Sequence, residues 1–220
     1  MLENKIIELK KQITEEADIV ISMLEKVREG LFGEKKEPGV FKDIFILEEK
    51  LNDMEMEIEE DAIGLMALHQ PEAKNLRTLI MVIKMNVDLE RMGDHVVNIT
   101  KCAQRIIQKP IMIKFIDLPR MFEETMKMTK DSITAFTNQD TELSGIVMGA
   151  DDLVDNLRDQ IFRVNMTHML SNPETTPIRM QVNEIASHLE RIADLTTNIC
   201  EEVVFMVKGR VVKHNVAQDE

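Results

Sequence analysis

The sequence contains no tryptophan and no tyrosine, and its aromatic content is only 4%. Single-strand nucleic-acid binders need aromatic faces on which bases stack, so that class is set aside at once. A formal net charge of -13 at pH 7 repels phosphate backbones as well, and no nucleic acid is expected as a partner. Cysteine is scarce: Cys102 and Cys200 stand far apart and form no CxxC pair, which speaks for buried reduced thiols rather than a disulfide framework or a thiolate metal site. No apolar stretch reaches the roughly 20 residues that span a bilayer. Nor does an N-terminal segment combine a basic start, an apolar run and a small-residue cleavage site, so a cytoplasmic location is expected.

Proline and glycine are also few, at 6 and 8, and they fall almost wholly between long periodic segments. Such punctuation suits helices joined by short connections. The breaks are GLFGEKKEPG at 30–39, Pro71, KPIMIKFIDLP at 109–119, NQD at 138–140, SNPETTP at 171–177 and Gly209. They predict six helices, near 2–29, 40–69, 72–108, 119–138, 140–170 and 176–208. Methionine is plentiful at 17 and is read as adaptable core filling.

What the sequence does have is an internal repeat. LERMGDHVVNI at 89–99 returns as LERIADLTTNI at 189–199, with Leu, Glu, Arg, Asp, Asn and Ile at equivalent places. The apolar steps around it repeat as well. Val82, Met85, Leu89, Met92, Val96, Ile99, Ala103 and Ile106 advance by threes and fours, and so do Val182, Ile185, Leu189, Ile192, Thr196, Ile199, Val203 and Met206. The second helix gives Ile44, Leu47, Leu51, Met54 and Ile58, matched in the fifth by Val147, Ala150, Val154, Leu157 and Ile161. Three-four spacing is the seam of a helical bundle, and short loops make neighbours antiparallel. The expected fold is therefore all-α, a tandem of two antiparallel three-helix bundles over residues 1–110 and 111–220. Glycine at 93, inside the third helix, costs about 1 kcal/mol against alanine and points to a close helix approach or a bulky ligand nearby.

The repeated acids flank the seam. Glu90 and Asp94 lie four apart on one helix, as do Glu190 and Asp194. Like charges so placed destabilise a helix by roughly 0.2–0.5 kcal/mol, which calls for a compensating partner. Asp151 and Asp155 form another such pair on the fifth helix, and the repeat shift carries them onto Glu48 and Asn52 of the second. Adjacent antiparallel helices would bring these acids together into one carboxylate ridge per half. Hard oxygen ligands in such number suit Mg²⁺, Mn²⁺ or oxidised iron. Solvation with a salt bridge from Arg91 or Arg191 is the plainer explanation for one such pair, and exact duplication weakens it. Of the histidines, His95 is read as flanking the seam, His69, His168 and His188 as structural or surface residues, and His214 as part of the tail. No ExxH occurs for a ferritin-like di-iron core, and there is no P-loop, GxSxG or Cys/His nucleophile arrangement, so an enzyme is not expected.

The paired LERxxD motifs followed by Asn-Ile, the HQPEAKNLR and NPETTPIR turns ahead of them and the ending ICEEVVFMVKG resemble the PhoU proteins of bacterial phosphate signalling over roughly residues 5–209. That resemblance implies a cytoplasmic regulator with no catalysis of its own, reaching the membrane only peripherally through partners. The partners implied are a Pst phosphate ABC transporter and a sensor histidine kinase, with a homodimer as one expected assembly. It further implies metal ions, iron, Mn, Mg or Zn, on Glu48, Glu90 and Asp94 in the first half and on Asp151, Asp155, Glu190 and Asp194 in the second. Asn52 departs from the pattern, so the first site is expected to be weaker unless Glu49, Asp53 or Glu55 substitutes. The competing expectations are a metal-buffering or metal-dependent enzymatic helical protein and a metal-free structural scaffold.

Overall fold

The computed structural model describes residues 2–33, 38–109 and 113–209. The described chain forms six α-helices: α1 Leu2–Phe32, α2 Lys42–His69, α3 Ala73–Ile107, α4 Leu118–Asn138, α5 Thr141–Ser171 and α6 Thr176–Lys208. Short 3₁₀ turns at Pro38–Phe41 and Pro173–Thr175 lead into α2 and α6. Every helix expected from the punctuation is present, and every end falls within three residues of the expected place. His214 lies outside the described residues.

Local chemistry explains several ends. The Asp140 carboxylate caps α5 by accepting from the backbone N–H groups of Glu142 and Leu143, both at 2.9 Å, which satisfies donors the first turn leaves orphaned. Gln70, Gln139 and Gly209 close α2, α4 and α6 in the left-handed region, at φ 43°, 56° and 65°. Proline in the first turns of α4 and α6 costs nothing there, because those N–H groups have no helical acceptor.

The seams are where the three-four spacing puts them. All eight seam residues of α3 and all eight of α6 are buried, and Ile44, Leu51 and Ile58 of α2 are 0% exposed. The close helix approach expected at Gly93 is real: a side chain there would run into Leu51 of α2, where burial leaves little room to move. Each half is a three-helix bundle, α1–α2–α3 and α4–α5–α6, and the two share one core. Helix α3 packs on α6 and α1 on α4, and a single hydrophobic cluster runs through both halves. Phe32 of α1 meets Phe122 of α4 edge-on at 5.8 Å. Around that contact Arg28–Glu123 at 2.6 Å and Lys130–Glu25 at 2.9 Å also cross from α1 to α4. Exposed pairs of this kind contribute about 0–1 kcal/mol, whereas each fully buried Leu, Ile, Phe or Met contributes about 1.5–3 kcal/mol, so the apolar contacts join the halves.

Helices α3 and α6 run antiparallel. Lys84–Glu202, Cys102–Glu184 and Arg105–Gln181 fix their register. That register sets Gly93 level with Ala193, its own counterpart in the repeat. A local two-fold relation therefore passes between two small residues, and the contacts at one end of the α3–α6 seam are the repeat images of those at the other.

Candidate functional site

The acidic ridge of the first half lies where α3 meets α2. Glu90 is half-buried and Asp94 exposed one turn further on, while Glu48, Asn52 and Glu55 are half-buried on α2. The Asn52 side chain donates to Glu48 Oε1 at 3.1 Å, orienting that carboxylate. Burial raises the Glu90 carboxyl above its usual range, and Asp94, Glu55 and Glu48 push the same way against Arg91. Glu90, Asp94, Glu48 and Glu55 thus share one electrostatic neighbourhood. Of the proposed substitutes for the Asn52 position, Glu55 belongs to this neighbourhood, whereas Glu49 and Asp53 face solvent.

A residue the sequence reading passed over lies behind this ridge. Glu16 of α1 is 0% exposed, and neither carboxylate oxygen has a hydrogen-bond partner. Its carboxyl is pushed up to about 9, first by burial and then by Glu55 and Glu90. A buried orphan acid normally costs 1–3 kcal/mol or more. One signal of it was in the sequence: Leu9, Ile13, Glu16, Val20, Met23 and Val27 advance by fours and threes, so Glu16 occupies a core position on an otherwise apolar seam.

The second ridge is built alike and balanced differently. Glu190 is half-buried on α6, with exposed Asp194 one turn on, and Asp155 and Asp151 are half-buried on α5. Asp194 and Asp155 both act on Glu190, whose carboxyl is raised first by burial. The register of α5 against α6, set by Asn165–Asn183 and Arg158–Glu190, puts Asp155 level with Asp194 and Asp151 one turn beyond. This ridge also holds a cation of its own. Arg158 of α5 lies 3.5 Å from Glu190 and 3.4 Å from Asp159, and opposes the rise of the Glu190 carboxyl. The repeat relation puts Glu55 of α2 where α5 has Arg158.

Among the described residues, no three His, Cys, Asp or Glu side chains already surround one point closely enough to hold an ion. To hold a cation on either ridge, the half-buried and exposed carboxylates would have to turn inward by side-chain rotation. The residues present fit a hard cation better in the first half, where a buried carboxylate with two unsatisfied oxygens stands behind the ridge. When bound, such an ion would supply positive charge that relieves the carboxylate repulsion.

The histidines are arranged in a way the sequence pattern did not reveal. His95 and His188 meet across α3 and α6 with their Nδ1 atoms 3.1 Å apart. The His95 imidazole is held down to about 4, by burial first and then by His188 and Arg191, with Asp94 opposing. His188 is lowered as well, again by burial first. One neutral ring donates to the other. Both cysteines are buried and free, as expected. The Cys102 thiol donates to Glu184 Oε2 at 3.5 Å and is pushed up to about 12 by burial and by Glu184.

Comparison with known proteins agrees with this architecture. The PhoU domain model matches twice, over residues 13–103 and 118–203. The "Phosphate-specific transport system accessory protein PhoU homolog" of Aquifex aeolicus is 33% identical over 207 residues, covering 94% of this chain and 93% of that one. The homologue of that name in Deinococcus radiodurans is 31% identical over 163 residues, covering 74% and 76%. Among solved structures, the phosphate transport system regulatory protein PhoU from Streptococcus pneumoniae superposes with a TM-score of 0.90 at 25% identity, covering 97% of this chain and 100% of that one. PhoU from Pseudomonas aeruginosa shows the same fold, with a TM-score of 0.91 at 23% identity and coverage of 96% and 100%. Two matched domains, each carrying an ERxxD ridge on its third helix, place the chain in the PhoU family.

Proposed function

We propose that this chain is a regulatory accessory protein of a phosphate transport system, acting without catalysis of its own as an adaptor between a phosphate ABC transporter and a sensor histidine kinase. The observation that carries this reading is the match of both repeats to the PhoU domain, together with relatives named phosphate-specific transport system accessory proteins, that of Aquifex aeolicus matched over 93% of its length. No helix among the described residues is long and apolar enough to cross a membrane, so on this reading the membrane is reached through the transporter. Cations on the ridges of Glu48, Glu90 and Asp94, and of Asp151, Asp155, Glu190 and Asp194, shape the two acidic faces that the partners meet. Coupling of this kind requires that this chain bind the two states of the transporter, and the two states of the kinase, with different affinity.

Calorimetry of the purified chain against the ATPase subunits of a phosphate transporter and the cytoplasmic part of a histidine kinase tests the adaptor directly. Saturable binding to both is expected. Binding to neither would end the adaptor reading. Iron, Mn²⁺, Mg²⁺ and Zn²⁺ titrated into chelator-treated protein test the metal part separately, with loss of uptake expected when Glu90→Gln and Glu190→Gln are combined. Turnover of a phosphate ester or a redox substrate by the metal-loaded chain would instead support the enzymatic alternative.

A further inference from the structure

At one end of the α3–α6 seam, away from both ridges, lies a half-open cleft of about 300 Å³. Asp88, which lines it, is two residues from Glu90 and therefore about 200° around the helix from it. The cleft is acidic in its depth and apolar at its sides. Glu202 of α6 is only 9% exposed, and its Oε2 has no hydrogen-bond partner. Asp88 is 7% exposed and bonds to the side chain of Asn198. Met81 and Phe205 line the same space.

Two cations already stand beside these acids: the Arg91 guanidinium lies 3.7 Å from Asp88 Oδ1 at the rim, and Lys84 reaches in toward Glu202. Lys84, with more than half its side chain exposed, holds its ammonium 3.7 Å from Glu202 Oε1. A charge-assisted hydrogen bond is about 2.7–2.9 Å, so this lysine offsets the charge without satisfying the carboxylate. Two observations decide what else would fit. The cleft acids, like those of the ridges, do not converge three to a point among the described residues, so a bare metal ion finds no formed cage here. The cleft also has the volume of about ten waters, far more than an ion occupies. A flat or compact cation carried on an apolar stem uses both the buried carboxylates and the Met81–Phe205 walls. The overall charge of -13 draws cations toward the molecule in general.

We propose that this cleft binds a guanidinium or alkylammonium group on a short aliphatic stem, with the carboxyl groups of Glu202 and Asp88 as its acceptors and Met81 and Phe205 as walls for the stem. Lys84 is the internal placeholder that such a group displaces. Two sources share this chemistry: an arginine or lysine side chain of a partner protein, and a free small amine.

The test uses the full chain labelled at methionine methyl groups, with the Met81 signal assigned through Met81→Leu. The probes are agmatine, a four-carbon stem with a guanidinium at one end and an ammonium at the other, and the capped tripeptide acetyl-Gly-Arg-Gly-amide; acetyl-Gly-Gly-Gly-amide and the dication of MgCl₂ serve as controls. The Met81 signal is expected to shift saturably with agmatine and not with the controls. Glu202→Gln is expected to weaken that binding on the order of tenfold. Lys84→Ala removes an exposed competitor and is expected to tighten binding by about threefold. Those opposite signs are not produced by a residue that only supports the fold. If the tripeptide binds as well as agmatine, the site takes a partner's side chain; if agmatine alone binds, it takes a free amine. No saturable shift with either probe would overturn the proposal. So would variants that leave the affinity unchanged or move it in the same direction, or an equal response to MgCl₂.

Discussion

The two acidic ridges descend from one pattern and differ in what neutralises them. In the second half Arg158 reaches from α5 to Glu190, an internal cation among the acids. In the first half the equivalent position is Glu55, and a further acid, Glu16, lies buried behind the ridge. One ridge brings part of its own counter-charge, and the other adds negative charge with no added base on α2. A repeat can keep its ligand positions and still be retuned, through the residues that face those positions from neighbouring helices. On the metal reading proposed above, Asn52 alone points to a weaker first site, whereas Glu55 in the place of Arg158 favours a stronger one. The second effect is larger, because it changes the local charge by more than one unit and Asn52 changes it by one.

The sharpest break of this comparison is in cation affinity. Glu90→Gln should abolish the tighter class of sites in a Mn²⁺ titration followed by electron paramagnetic resonance. The expected loss exceeds the roughly 10–100-fold that follows from disturbing an outer-shell partner, because a ligand itself is removed. Glu190→Gln should leave that tighter class intact. The reverse outcome would show that Asn52, and not the counter-charge, sets the order of the two sites.

Glu16 comes next in size. Its folded pKa of about 9 lies above the unfolded value of 4.5, so between those limits the folded chain holds a proton that the unfolded chain has lost. That contribution is fully present below pH 4.5 and fades as pH rises toward 9. Glu16→Gln should therefore match the parent near pH 4.5 and exceed it by about 2–4 kcal/mol at pH 8, measured by urea unfolding in the presence of chelator. Equal stability at pH 8 would mean that Glu16 is not an uncompensated acid in the metal-free chain.

Most of the fold was legible because helices announce themselves by period. The buried seam residues of α3 and α6 are the ones picked out by three-four spacing, and the glycine at 93 was traceable to a close approach, which proved to be Leu51. The motif acids were legible because they recur. What was hidden needs a third helix or a second half. Glu16 enters the first ridge only because α1 packs on α3, and Arg158 reaches Glu190 only through the α5–α6 register. Asp88 and Glu202 fall on opposite sides of the α3–α6 seam, and that seam exists only because the two bundles share a core rather than standing apart. Position along a helix gives the face, and only docking gives what the face meets.

Arg158 offers a smaller test of the same comparison. Replacing it by methionine keeps the stem that packs along α5 and removes the charge beside Glu190. Cation affinity at the second ridge should rise roughly tenfold, as expected for taking one positive charge away from a partly exposed site. Calorimetry of Arg158→Met on a Glu90→Gln background isolates that ridge. An unchanged affinity would assign the difference between the halves to the acids of the first, Glu55 and Glu16, rather than to the Arg158 charge.

The smallest effect concerns the histidine pair, where the halves differ again, since His95 has Leu195 as its counterpart. His95 is held down to about 4 in the folded chain against an ordinary 6.5. Between those values the unfolded chain binds more protons, so its contribution is complete above pH 6.5 and is lost as pH falls toward 4. Asp94, Glu184 and Arg191 are the charged groups that face the pair, and Arg191 adds to the lowering of both rings. His95→Leu copies the second half into the first and removes the proton-binding step. Thermal unfolding in chelator should then show the variant ahead by about 1 kcal/mol at pH 5, the figure that remains after allowing for a half-exposed ring. For a chain of this length that corresponds to roughly 2–4 °C. At pH 7.5 the order should reverse slightly, because the neutral rings keep a hydrogen bond at 3.1 Å that leucine cannot make. A variant equally displaced at both pH values would show that the two rings do not titrate as a depressed pair, and that the difference between His95 and Leu195 is one of packing alone.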